Sequence, residues 1–195
     1  MAADDPLLTA ALAHHRQPHR AYHDDRHVLE LLALAQAHAP DLTEAERLAI
    51  LFHDAVYVPG APSGTNEALS ALLMQATVFA LAEAGAVAAP DPTVVADAGT
   101  IIRATTHAAP PPPLAARMCD LDLWRLAAPW AEFERHGADI RTEFRYLYPS
   151  DDAFWTARRG FYGTMLEKPA IFTTAYFRDH FEAQARDNLR RAIAA

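Results

Sequence analysis

The chain is poor in cysteine: Cys119 is the only one in 195 residues. A lone thiol can neither close an intramolecular disulfide nor build a thiolate metal cluster. Long apolar runs are missing as well, and none reaches the roughly 18–20 residues that span a bilayer. The opening Met1-Ala2-Ala3-Asp4-Asp5-Pro6 lacks the basic stretch of a signal peptide, so the cytoplasm is the expected location. Basic residues are outnumbered, 17 Lys+Arg against 25 Asp+Glu, for a net charge of −8 and a pI near 5.6. Long nucleic acid and anionic membrane surfaces both call for a basic face, so neither is an expected partner. Net charge does not exclude one local basic pocket. Runs of alternating β-branched residues and internal repeats are also absent, which leaves little sign of a sheet or a repeat array.

Apolar residues make up 51% and charged residues 22%, the balance of a globular chain. The length suits one domain, residues 1–195 with its core at about 20–190. Helical spacing dominates. Val28, Leu31, Leu32 and Ala35 repeat at i, i+3, i+4 and i+7 between His27 and His38, one apolar face of a helix. Thr43 with Glu46 three residues on forms a capping box, followed by the stripe Leu48, Ala49, Phe52 and Val56. A Pro/Gly/Ser loop covers residues 59–65, and a helix is expected over about 66–84. Asp91-Pro92 reads as N-cap and first helical position, with an apolar stripe running on to His107. Pro110 to Pro113 is a stiff, extended spacer leading to a helix over 114–126. Further amphipathic stretches run to about Tyr148, from the cap at Ser150, and from about Thr174. The expected fold is an all-α single-domain helical bundle.

Two histidines four apart, in Tyr22-His23-Asp24-Asp25-Arg26-His27, precede His53-Asp54 at the end of the run Leu48-Ala49-Ile50-Leu51-Phe52. An acidic pair, Asp120-Leu121-Asp122, lies downstream. Imidazole and carboxylate together suit a divalent transition metal better than calcium, which takes oxygen. Positions i and i+4 share a helix face, so one of His23 and His27 can bind an ion while the other stands a turn away. His53 and Asp54, adjacent on a helix, diverge by about 100°, which sends the imidazole to one ion and the carboxylate across the site. A pair of polar groups against a buried wall needs partners, and a metal serves both. Spacing does not choose between Asp120 and Asp122. His107 follows an apolar helix and reads first as structural. Glu67 is either a site acid or a first-turn acid at a helix dipole.

As an ordered set, these residues resemble the HD superfamily of metal-dependent phosphohydrolases, whose pattern is His, then His-Asp, then a distant Asp. More narrowly, the chain is similar to a group of small bacterial HD proteins. The likeness rests on Tyr22-His23 with His27, on Phe52-His53-Asp54-Ala55-Val56-Tyr57, on Asn66-Glu67 with Ser70-Ala71, on Thr105 to His107, on Asp120-Leu121-Asp122-Leu123, and on Ala185-Arg186-Asp187-Asn188-Leu189. It runs from Tyr22 to Leu189. The Pro110 to Pro113 tract and Trp124-Arg125 depart from the group. The resemblance implies His27, His53, Asp54 and Asp122 as metal ligands. By similarity to cyclic-nucleotide phosphodiesterases it implies His23 as the proton donor to the leaving group, with Asp120 as a capping or supporting residue.

The expected activity is therefore hydrolysis of a small phosphate ester, a nucleotide by preference, with one or two Mn, Fe, Co, Ni or Zn ions, or Mg, supplying hydroxide from water near neutral pH. Glu67 is a candidate to orient the water. His107, Arg103, Arg141 and Arg158 are candidates for a second ion or for the phosphate, which arginine's planar fork suits. Two alternatives accompany this reading. One is an HD-fold mixed-valent diiron oxygenase, which wants more histidines between His-Asp and the last Asp than His107 alone. The other is a non-catalytic module that binds a metal or a nucleotide.

Overall fold

The computed structural model describes residues 5–194 and is all-helical, with no strand among them. In chain order the helices are α1 (Pro6–His15), α2 (Asp25–His38), α3 (Glu44–Phe52), α4 (Thr65–Glu83), α5 (Pro92–Ala104), α6 (Ala116–Leu123), α7 (Trp130–Glu143), α8 (Asp151–Glu167) and α9 (Ala175–Ala194). Short 3-10 turns at Pro113–Ala115 and Trp124–Ala127 bracket α6, so the single helix expected over 114–126 is three pieces. One apolar cluster runs from Ala11 to Leu189 and draws on every helix. The core thus begins earlier than expected, because α1 buries Ala11, Leu12 and His15.

Helix α3 lies at the centre, packed against α1, α2, α4, α5 and α6. Its start is the expected capping box: the Glu46 N–H donates to Thr43 Oγ1 at 3.2 Å, and the Thr43 N–H donates to Glu46 Oε2 at 2.9 Å. Arg117 of α6 then donates to both Glu46 oxygens, at 2.7 and 2.6 Å. That fork ties one end of α6 to the start of α3, so the acidic pair at the other end of α6 falls beside the end of α3.

The two acids of that pair are about 200° apart around the helix, and they go to different places. Asp120 is fully buried and accepts from the Thr173 N–H at 2.6 Å, the Thr174 N–H at 2.7 Å and the Thr174 hydroxyl at 2.7 Å. It thereby holds the N-terminus of α9, where free N–H groups and the helix dipole favour an anion. Asp122 turns the other way, towards α2 and α3.

His15 ties α1 to α3: its Nε2–H donates to the Leu51 carbonyl at 3.1 Å. Burial is the main cause that pushes its pKa down to about 4. No helix among the described residues is long and apolar enough to cross a membrane.

Two stability changes follow. Asp120→Ala strands three donors at the head of α9 and is expected to cost about 2–4 kcal/mol, read as a lower urea midpoint. The unfolded chain takes up a proton on His15 near pH 6.5, whereas the folded chain does so only near 4. The neutral ring therefore contributes stability at pH 7 that is lost as pH falls between those values. The stability advantage of the parent over His15→Gln should shrink by on the order of 2 kcal/mol from pH 7 to pH 4.5, measured by denaturant unfolding at each pH.

Candidate metal centre

Helix α2 starts at Asp25 because Asp24 is its N-cap, accepting from the Arg26 N–H at 3.0 Å. His27 therefore sits in the first turn, fully buried. His23 precedes the cap and lies outside the helix, which corrects the expectation that it stands one turn from His27 on a shared face. Its position comes from elsewhere in the chain. Glu143, at the end of α7, accepts the Ala21, Tyr22 and His23 N–H groups on Oε2 at 2.9, 2.8 and 3.0 Å. His23 Nδ1 is 2.7 Å from Glu143 Oε1, and its ring stacks on Tyr57 with centroids 3.7 Å apart. Burial opposes ionisation of Glu143, but His23 and the backbone N–H groups outweigh it and hold the carboxyl down to about 2. His23 Nδ1 is thus the protonated nitrogen, and Nε2 is left for chemistry.

Helix α3 ends at Phe52, with His53 as its C-cap. Asp54 lies in the turn beyond, so the 100° divergence expected of helical neighbours does not apply. Arg20 causes this exit: it donates to the carbonyls of Asp54 at 2.6 Å, Ala55 at 3.0 Å and His23 at 2.8 Å. The Ser70 hydroxyl then bridges the N–H and carbonyl of Val56, and the Asn66 amide does the same for Val58. Thus held, Asp54 Oδ2 comes to 3.0 Å from His53 Nε2.

Three of the four expected donors, His27, His53 and Asp54, come together, and Asp122 approaches the two imidazoles. His27 Nε2 is 3.1 Å from His53 Nε2, 3.3 Å from Asp122 Oδ1 and 3.7 Å from Asp54 Oδ2, and His53 Nε2 is 3.6 Å from Asp122 Oδ1. Ligand bonds of about 2.0–2.2 Å place neighbouring donors about 3–3.5 Å apart around one ion. The buried group His27, His53 and Asp54 could therefore hold a metal ion, and Asp122 faces the same point. The tautomer fits too. The His53 Nδ1–H donates to the Ile50 carbonyl at 3.2 Å, which turns the Nε2 lone pair inward. Two imidazole nitrogens facing each other at 3.1 Å in a buried place are better served by a shared cation than by each other.

Electrostatics of the protein alone favour charge of both signs here. Burial opposes ionisation of Asp54, yet His53 and His23 keep its carboxyl well below the usual range. Asp122 is likewise opposed by burial and held well below it by hydrogen bonds to His107, His27 and His53. Burial pushes His27 down to about 3. His53 is raised well above an ordinary histidine, because Asp54 and Asp122 outweigh its burial.

The other candidates divide. His107 joins the centre, with Nε2 2.9 Å from Asp122 Oδ2. Its backbone is left-handed, φ 52°, a conformation that costs a non-glycine residue on the order of 1 kcal/mol and that directs the ring at Asp122. Glu67 is half-buried in the first turn of α4. Among the described residues, no hydrogen bond or ion pair joins it to the four donors or to His23. The three arginines are engaged elsewhere: Arg103 donates to the Gly99 carbonyl at 2.9 Å, Arg141 pairs with Asp151, and Arg158 donates to the Tyr162 hydroxyl at 3.1 Å. Each has a partner on its own or a neighbouring helix, and among the described residues no hydrogen bond or ion pair joins any of them to the four donors. Glu143 and Arg20 escaped sequence reasoning, since each reaches the site through contacts between segments with no local motif, and Tyr57, although inside the segment Phe52 to Tyr57 that carries the resemblance, is given no role by it.

No protein-family model, curated protein or solved structure matches the chain.

His53→Ala or Asp54→Ala should lower transition-metal affinity at least 100-fold, because each removes a direct donor. Asp120→Asn, which keeps an acceptor for the head of α9, should leave it within a factor of about three, because Asp120 is not itself a donor to the ion. Competition with a chromophoric chelator measures both.

Proposed function

We infer that the chain is a metal-dependent phosphohydrolase of the HD type it resembles, acting on a small phosphate ester, a nucleotide by preference. One observation carries the reading: His27, His53 and Asp54 bring their donor atoms to one buried point, and Asp122, from a third segment, stands 3.3 and 3.6 Å from the two imidazoles. When bound there, a divalent ion would acidify water towards a pKa of about 7 and draw charge from a phosphoryl oxygen.

The chain's own groups supply the rest. Glu143 locks the His23 ring through Nδ1, and Tyr57 backs its face. The free Nε2 can hold a proton for the departing ester oxygen, a role worth roughly 10²–10⁴ in rate. Burial of His27 and His53, each no more than 1% exposed, keeps bulk water from the donor side of the centre. Arg20 takes the backbone carbonyls beside His53-Asp54 and so fixes the loop that carries them. The oxidative alternative rests on His107, whose Nε2 is engaged with Asp122; iron content with O₂ consumption distinguishes it from hydrolysis.

The purified protein, loaded in turn with Mn, Fe, Co, Ni, Zn and Mg, should hydrolyse at least one of the nucleoside monophosphates, triphosphates or cyclic nucleotides. His23→Ala should retain its metal by elemental analysis while kcat drops about 10²–10⁴-fold. Failure of every metal–nucleotide pair would sink the nucleotide preference, failure of other small phosphate esters as well would sink the hydrolase reading, and loss of metal in His23→Ala would sink the role given to His23.

A further inference from the structure

A cavity of about 250 Å³ adjoins the centre, with His107 in its wall together with Pro110, Pro111, Leu123, Lys168 and Ile171. His107 contacts Asp122 through Nε2, so this residue belongs both to the wall of this space and to the cluster of donors. Pro110 and Pro111 belong to the extended tract that departs from the resembled group, and here that tract forms a rigid apolar wall.

The charge of the lining is unusual for this chain. The protein carries 25 acidic residues and a net charge of −8, yet no carboxylate lines the cavity. Asp120, the nearest in sequence to Cys119, is turned away onto Thr173 and Thr174. Lys168, by contrast, is the single lysine of the whole sequence. Its backbone N–H and carbonyl are engaged with Met165 and Arg186. Among the described residues its side-chain ammonium has no ion-pair or hydrogen-bond partner. A cation without an internal counter-ion, in a pocket free of acids, selects an anion.

We propose that this cavity holds the organic part of the substrate, and that this part bears a second anionic group, a carboxylate or a second phosphate, held by Lys168. The proposal rests on the hydrolase reading for the phosphoryl end, which lies at the metal centre across His107. The volume is below the roughly 300–1,000 Å³ of pockets for drug-sized ligands, which limits the body to a short chain or a single ring and so favours an ester smaller than the nucleotides preferred above. Leu123, Ile171 and the two prolines pack against its carbon skeleton.

The single lysine makes a direct test possible. Acetylation of Lys168 by an amine-reactive ester is followed by peptide mass spectrometry on the metal-loaded protein. 3-Phosphoglycerate should slow this reaction about tenfold at ten times its dissociation constant, and glycerol 3-phosphate, which lacks the carboxylate, should protect far less. Fructose 1,6-bisphosphate against fructose 6-phosphate asks the same question of a second phosphate. In parallel, the ratio of kcat/KM for the doubly anionic over the singly anionic ester should collapse about tenfold in Lys168→Ala, the loss of one charge-assisted contact, and recover in Lys168→Arg. Protection without turnover upholds the pocket and counts against hydrolysis. Turnover with an unchanged ratio in Lys168→Ala, or equal protection within both pairs of esters, overturns the pocket.

Discussion

Helix α3 carries an unbroken buried surface, from Leu48 to Phe52, directly into two ionisable groups, His53 and Asp54. Keeping such groups out of water is costly unless each finds a partner of the right kind. Much of the arrangement around them answers that requirement. His27 arrives from the first turn of α2, Asp122 from the last turns of α6, and Arg20 takes the carbonyls that the end of α3 leaves free. The apolar core and the polar cluster are not separate regions here, since the residues that bury α3 also set the distances between the donors.

Position within the cluster is controlled by capping more than by helical periodicity. Asp24 starts α2 late enough to leave His23 outside it, and Arg20 draws Asp54 off the axis of α3. Glu143 gathers three successive backbone N–H groups and the His23 ring onto one carboxylate. Such contacts fix side chains more tightly than a shared helix face would, because each uses a directional hydrogen bond to a backbone that cannot rotate away.

The fold class was readable from the sequence because apolar stripes at helical spacing and two capping signals, Thr43 with Glu46 and Asp91-Pro92, are local properties. Three residues that come together, His27, His53 and Asp54, could be named in advance because their types and order carry a resemblance. What did not show was anything requiring two distant segments: Glu143 behind His23, Arg20 over the exit of α3, and α1 as part of the core. The arginine candidates illustrate the opposite difficulty. A guanidinium is easy to notice along a chain, but its nearest acceptor is usually on its own helix or the adjoining one, as with Arg103 on Gly99. The segment Arg186 to Asn188 illustrates a further limit, since its side chains hold the carbonyls of Leu166, Lys168, Leu126 and Ala128. Those residues join α9 to the end of α8 and to the turn between α6 and α7.

Helix α6 is only eight residues long, yet it presents one carboxylate to the head of α9 and another to the cluster beside α3. It works as a strut between two otherwise remote parts. Because a rigid rod cannot move one end alone, loosening the C-terminal helix would withdraw a donor from the centre some distance away. Conversely, a cation that grips Asp122 would steady α9 without touching it, so the tail of the protein becomes a gauge of whether its heart is filled.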